Sequence, residues 1–410
     1  MTFEEKLEQY ARLIARCGVN VEEGQDVVLR CPVESKDFVR LIVKELYKAG
    51  AREVIVHWSD DQIARLRYEY APMEVFETFP QWRVDSQLMY AREHAAFISI
   101  TGTDPEAFKG VDQSKMAAAG KASEKANKEY YDMMLRSEFK WNVAAVPSEA
   151  WAAKVFPDSP KEERMEKLWE AIFHALRIGE GDVVARWEEH GRLLGEKCRL
   201  LNEYQFVSLH YENSLGTDFT VGLPENHRWE GGADTSPNGI SYFANMPTEE
   251  VFTMPHRLKA EGRLVSALPL SYQGNLIRNF TLVFKNGRVE EFTAEEGQEV
   301  LQHMLDMDEG ARHLGEAALV PYPSPVAEQG ILFYNTLFDE NASCHFALGA
   351  CYPTNLEGGA ELEEEDLKER GGNLSMNHVD FMIGTRDLSV TGITKDGKEV
   401  PVFRNGNWAL

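Results

Sequence analysis

The tripeptide His378-Val379-Asp380 runs straight into an apolar stretch, Phe381-Met382-Ile383. On a strand, residues two apart face the same way, so His378 and Asp380 would point together into one space. An imidazole and a carboxylate converging from a strand make half of a metal site. The alternative is a hydrogen-bonded structural pair, the commoner use of this combination. A second group, Asp339-Glu340-Asn341-Ala342-Ser343-Cys344-His345, follows an expected apolar strand over 331–336. Acid and imidazole at a strand end suit a metal loop, whereas Asp339 and Asn341 equally suit capping or turn roles.

Two further segments carry isolated acids. In Asn245-Met246-Pro247-Thr248-Glu249-Glu250-Val251-Phe252-Thr253-Met254-Pro255, two glutamates sit among apolar residues and prolines. If the segment is extended, Glu249 and Glu250 point to opposite faces and only one enters a given site. Glu316 stands alone in Leu314-Gly315-Glu316-Ala317-Ala318-Leu319. A carboxylate buried there needs a cation or several donors to offset its desolvation. For both segments the competing role is a paired structural acid. Four or more carboxylates with two imidazoles and no thiolate pair suit a two-metal hydrolytic centre, with ions about 3.5–4 Å apart. The His-Glu-x-x-His helix of single-zinc proteases is absent, and His256, His303 and His313 are expected at the surface or in hydrogen bonds.

The elements that must position these residues fall into two regimes. Over the first 150 residues, helical and strand periods alternate. A stripe of Phe3, Leu7, Tyr10, Leu13 and Ile14 predicts a helix over 3–17. Strands follow at 26–31, 52–58, 96–101 and 141–146, with a helix from Ser35 to Leu46 ended by Gly50. This alternation calls for a parallel sheet with helices on its faces. No glycine-rich phosphate loop joins strand to helix, so this half is read as a scaffold or lid, not a nucleotide site. Residues 160–203 read as helical. After Tyr204 short strands are expected at 205–210, 219–221, 263–267, 277–284 and 288–292. Lys285-Asn286-Gly287-Arg288 signals a type I′ hairpin, and Lys395-Asp396-Gly397-Lys398 repeats the signal. The fold class is therefore an α/β N-terminal domain with a helical bridge, residues 1–203, plus an α+β, largely antiparallel C-terminal domain, residues 204–410.

Composition narrows the partners. The 410 residues hold 43 Lys+Arg against 67 Asp+Glu, a formal net charge of −24. That field disfavours nucleic acid and anionic lipid and favours cations. No apolar run approaches a membrane span, and no secretory signal is visible at the N-terminus. Five scattered cysteines without a CxxC pair argue for reduced thiols in a cytoplasmic protein. The acidic run 361–370 is expected to be a solvated helix.

Taken together, Asn245–Pro255, the Glu316 segment, Glu340 to His345 and His378-x-Asp380 resemble the signatures of the aminopeptidase T family of metalloaminopeptidases. This is the thermophilic metalloprotease type that includes bacterial AmpS and PepS. The resemblance follows the whole chain in order and spacing. It implies that Glu250, Glu316, Glu340, His345, His378 and Asp380 bind two divalent ions (Zn2+, Co2+ or Mn2+), with Glu316 bridging. It also implies a catalytic Tyr352, whose phenol can donate to the oxyanion of a tetrahedral intermediate. Glu249 remains an alternative to Glu250 as ligand, and both Glu316 and Glu249 are candidates for the proton-accepting base. The implied activity is removal of N-terminal residues from peptides by a cytoplasmic homodimer. Rival readings are a dinuclear hydrolase of another amide or ester and a non-catalytic module that binds a cation or peptide.

Overall fold

The computed structural model describes residues 1–272 and 274–410. Contacts between residues divide the chain into two compact units, Met1–Glu189 with Ala233–Pro247, and His190–Gly232 with Thr248–Leu410. Residues 190–203 of the expected helical bridge thus go with the second unit, and the excursion Ala233–Pro247 goes with the first.

In the first unit, four parallel strands lie in the order Glu53–Ser59, Asp26–Pro32, Ala96–Thr101, Trp141–Ala145. The second of these is buried almost throughout, as an apolar run flanked on both sides should be. Helix Phe3–Leu13 opens with a capping box in which Thr2 and Glu5 satisfy each other's backbone donors. It closes in a π turn, Ile14–Gly18, at the end of the span expected to be helical. Helix Lys36–Ala49 buries Phe38, Val39, Ile42 and Leu46 along one stripe, and Gly50 ends it at φ 116°.

The second unit holds two large antiparallel sheets and a two-stranded one, Leu270–Tyr272 with Asn275–Ile277. The larger has eight strands, in the order Arg288–Thr293, Thr281–Lys285, Ala260–Val265, Asp218–Gly222, Ser208–Glu212, Ser389–Ile393, Glu399–Arg404, Asn407–Trp408. The smaller has five, in the order His378–Met382, His345–Gly349, Leu314–Leu319, Val251–Thr253, Glu230–Gly231. Their facing sides share one core, in which Phe346 meets Tyr211 and Phe219 at ring separations of 5.0 and 5.4 Å. Truncating a phenylalanine so placed costs about 3–5 kcal/mol.

Three expectations are corrected. Residues 331–336 form no strand; they lead into a short helix, Thr336–Asp339. The buried Asp339 carboxylate accepts from the Phe333 and Asn335 N–H groups at 2.7 and 3.0 Å, and Asn335 caps the helix. These side chains take the donors that a strand would have paired. The expected strand 277–284 is two pieces, Asn275–Ile277 and Thr281–Lys285, broken where Asn279 turns left-handed at φ 47°. Asn286 and Gly287 both have positive φ, as a type I′ turn requires, but at 395–398 only Gly397 does, within a longer loop. Asn405-Gly406, between paired Arg404 and Asn407, does have both residues at positive φ.

Candidate active site

Strand parity assembles the site. Along the five-stranded sheet Val251, Ala317, Leu319, Phe346, Leu348, Val379 and Phe381 face the shared core. The alternate residues face away from it. Directly opposed residues share a face. Ala318 pairs with Phe252 on one side and His345 on the other, while Ala347 pairs with Glu316 on one side and Asp380 on the other. Glu250, two residues before Phe252, and His378, two before Asp380, have the same parity. One face therefore carries Glu250, Glu316, His345, His378 and Asp380, floored by the small buried side chains of Ala318 and Ala347.

Glu316 reaches this face only through an irregularity. Leu314 pairs with Leu348, yet Glu316 pairs with Ala347, so Gly315 is an extra residue in the ladder. A side chain on Gly315 would place its Cβ 2.1 Å from the Ala350 carbonyl oxygen, so only glycine fits.

The functional atoms converge closely. His345 Nε2 lies 3.1 Å from Glu250 Oε2 and 3.5 Å from Glu316 Oε1. His378 Nε2 lies 3.3 Å from Glu316 Oε2 and 3.4 Å from Asp380 Oδ1. These form two triads, Glu250–Glu316–His345 and Glu316–His378–Asp380, each with ligand atoms within 4.8 Å of one another, sharing Glu316. Both imidazoles are oriented from behind. His345 Nδ1 donates to the Ser343 carbonyl at 3.1 Å and His378 Nδ1 to the Ala350 carbonyl at 2.7 Å. With Nδ1 held on a backbone carbonyl, each Nε2 is aimed at the carboxylates, the orientation metal-binding histidines adopt.

Glu249 and Glu250 part company as extended neighbours must. Glu250 meets His345, whereas the buried Glu249 lies 3.8 Å from His190 Nε2, and its N–H donates to Asn341 Oδ1 at 2.7 Å. Asn341 also donates to the Leu337 carbonyl, so Asp339 and Asn341 serve the loop's own structure. Glu340 stands outside the two triads but within the field of their carboxylates. The Tyr352 ring packs 4.9 Å from the His378 ring and 5.8 Å from that of Phe252. His303 is exposed, and the buried His313 donates to the Arg257 carbonyl, both away from the cluster.

The electrostatics fit a cation. Burial pushes the Glu316 carboxyl up, but the hydrogen bonds and charge of His345 and His378 outweigh it and bring it down to about 2. Burial and the neighbouring carboxylates Asp380 and Glu250 push Glu340 well up, and burial raises Glu250 despite His345. Burial would lower both imidazoles; for His345 its bonds to Glu250 and Glu316 win, and for His378 the charge of Asp380 and its bonds to Asp380 and Glu316 do, so both are raised. Tyr352 is pulled down by His378, yet burial and the carboxylates outweigh this, so it stays a protonated phenol. Among the described residues, the ion-pair partners of Glu250, Glu316 and Asp380 are imidazoles, with no lysine or arginine. Packed carboxylates whose partners are two imidazole Nε2 atoms, each able to exchange its proton for a cation, are a donor set for divalent ions.

Sequence reasoning passed over Phe252, the two floor alanines and the carbonyls of Ser343 and Ala350. Parity around Glu250 and His345 would have found Phe252; the carbonyls carry no side-chain signal.

Comparison with known proteins agrees with this geometry. The family profile described as thermophilic metalloprotease (M29) matches residues 3–408. Aminopeptidase AmpS of Bacillus subtilis (strain 168) is 47% identical over 409 residues, covering 100% of both chains. Aminopeptidase T of Thermus thermophilus is 42% identical over 408 residues, covering 100% of this chain and 99% of that one. The solved structure of wild-type AmpT from Thermus thermophilus covers 100% of each chain with a TM-score of 0.93 at 42% identity. A 2,5-dihydroxypyridine dioxygenase from Pseudomonas putida shares the fold alone, with a TM-score of 0.55 at 13% identity over 99% of this chain and 96% of that one. Matched almost from end to end, the chain belongs to the thermophilic metalloprotease (M29) family.

Proposed function

We propose that this chain is a metal-dependent aminopeptidase that removes N-terminal residues from peptides, with residues 204–410 carrying the chemistry. The observation that supports this best is the sharing of the Glu316 carboxylate between His345 and His378, one oxygen to each. Two divalent ions, Zn2+, Co2+ or Mn2+, would be held by Glu250, Glu316, Glu340, His345, His378 and Asp380, with Glu316 common to both. When bound, such ions supply Lewis acidity toward a peptide carbonyl and acidify a water molecule. The aminopeptidase names of the relatives support the substrate class.

The chain's own residues supply the rest. His345 and His378, their Nδ1 atoms fixed on backbone carbonyls, aim Nε2 at the carboxylates, where it would give up its proton to donate an electron pair to a bound ion. Glu316 is held ionised, the state in which a carboxylate coordinates a cation or accepts a proton. Glu249, buried beside His190, is the second candidate for the proton-accepting base. Tyr352 keeps its proton and can donate it in a hydrogen bond to an oxyanion. We further read the enzyme as a cytoplasmic homodimer; the five cysteines, all buried and free, support a reducing compartment.

The test compares Leu-p-nitroanilide with its N-acetylated form and with p-nitrophenyl phosphate, before and after chelation. Cleavage of the free-amine substrate alone, abolished by EDTA and restored by Co2+, Zn2+ or Mn2+, is expected. Full activity in a chelator-washed, metal-free sample overturns the metal requirement, and preference for the blocked amide or the phosphoester overturns the exopeptidase reading.

A further inference from the structure

We propose that Glu230 is a positioning residue for Tyr352, acting as a hydrogen-bonded strut beneath the turn that carries it. The inference deepens the reading above and rests on Tyr352 as the oxyanion donor.

Glu230 lies on the outermost strand of the five-stranded sheet, directly across from Phe252. It therefore has the parity of the metal-site face although it takes no part in the two triads. Its Oε2 accepts from Thr354 Oγ1 at 2.8 Å and from Asn355 Nδ2 at 3.2 Å. Both donors belong to the short turn Pro353–Asn355, which begins immediately after Tyr352. Asn355 N–H in turn donates to the Tyr352 carbonyl at 3.1 Å, so the turn closes on Tyr352 itself. The same strand segment grips the turn through its backbone: the Arg228 N–H donates to the Asn355 carbonyl at 2.7 Å.

The Tyr352 ring is thus located from two sides by one pair of opposed residues. Phe252 packs against the ring at 5.8 Å, and its partner across the ladder, Glu230, fixes the residues that follow. The half-buried Glu230 carboxylate has two neutral donors on one oxygen and no lysine or arginine within ion-pair distance among the described residues, and burial raises its pKa. Its use as an acceptor for two side chains of one turn accounts for its place there. An oxyanion donor works only when its hydrogen is pre-aimed, and misplacement by about 1 Å can cost on the order of 100-fold.

The experiment uses the full-length, metal-loaded enzyme labelled with 3-fluorotyrosine. The Tyr352 resonance is the one that disappears in Tyr352→Phe. Glu230→Ala is expected to shift or broaden that resonance and to lower kcat by about 10- to 100-fold, with KM and metal content unchanged. It should add no further loss in a Tyr352→Phe background. Glu230→Gln keeps an acceptor oxygen and should stay within about 3-fold of the parent. An unmoved resonance in Glu230→Ala, a loss that multiplies fully onto that of Tyr352→Phe, or a Glu230→Gln variant as impaired as Glu230→Ala overturns the strut. Should Tyr352→Phe itself keep full kcat, the catalytic reading of Tyr352 falls, while the resonance still decides whether Glu230 places that ring.

Discussion

Glu316 lies directly across from Ala347, one step out of phase with the pairing of Leu314 and Leu348. In an unbroken ladder Glu316 would pair with Phe346, whose ring is in the core between the sheets. A one-residue slip exchanges faces, so Gly315 is what turns the carboxylate from the apolar core to the side where the imidazoles wait.

Gly315→Ala tests this directly. Its Cβ would meet the Ala350 carbonyl oxygen at 2.1 Å, so either the bulge or the neighbouring chain must move. A loss of about 1–3 kcal/mol in denaturant unfolding is expected, typical of overpacking. Bound metal should fall with it, because the Ala350 carbonyl also orients His378. A variant with parental stability and full metal content would show that the bulge is dispensable.

The adjacent acids should behave differently. Glu250→Gln removes the carboxylate 3.1 Å from His345 and should lower metal affinity by at least about 10- to 100-fold, read by titration against a competing chelator. Glu249→Gln leaves the two triads intact and should retain metal while changing kcat. Equal loss of metal in both variants would count against the division of roles drawn from their opposite orientations.

Tyr352→Phe deletes a hydroxyl and keeps the ring that packs on His378 and Phe252. If the phenol stabilises an oxyanion, kcat falls by about 100- to 1,000-fold while metal content and KM hold. A KM effect alone would make the residue a binding contact.

His227 makes a pH prediction away from the site. It is buried, with Nδ1 donating to the Pro224 carbonyl at 2.9 Å and Nε2 without a partner among the described residues. Burial pushes its pKa below the ordinary histidine value, outweighing the Pro224 hydrogen bond, so the folded state keeps it neutral. Below about pH 6.5 the unfolded chain binds a proton that the folded chain does not. Its contribution to stability is therefore present above that pH and lost as pH falls through the depressed folded value. His227→Gln should flatten the slope of unfolding free energy between about pH 5 and 6.5 relative to the parent. An unchanged slope would mean that His227 titrates alike in both states.

How much of this was legible beforehand follows from the range of the physics involved. Strand parity is local, so His378 and Asp380 could be placed on one face, and Glu249 and Glu250 on opposite ones, from spacing alone. The four parallel strands were legible because each is a short apolar run set off by helices. The strand expected over 331–336 failed because Asp339 and Asn335 divert backbone donors, a competition visible only once those side chains are placed. The split at Asn279 failed likewise, since asparagine permits a left-handed turn without requiring one.

By itself, then, the sequence determined the kinds of donor present, their local facing and the two-regime architecture, because these depend on composition and on periods of a few residues. Which glutamate meets His345, that Glu316 joins two imidazoles, and that Tyr352 lies against His378 were decided only by tertiary structure. Those relations depend on register between strands far apart in the chain, and at Gly315 that register rests on a single inserted residue.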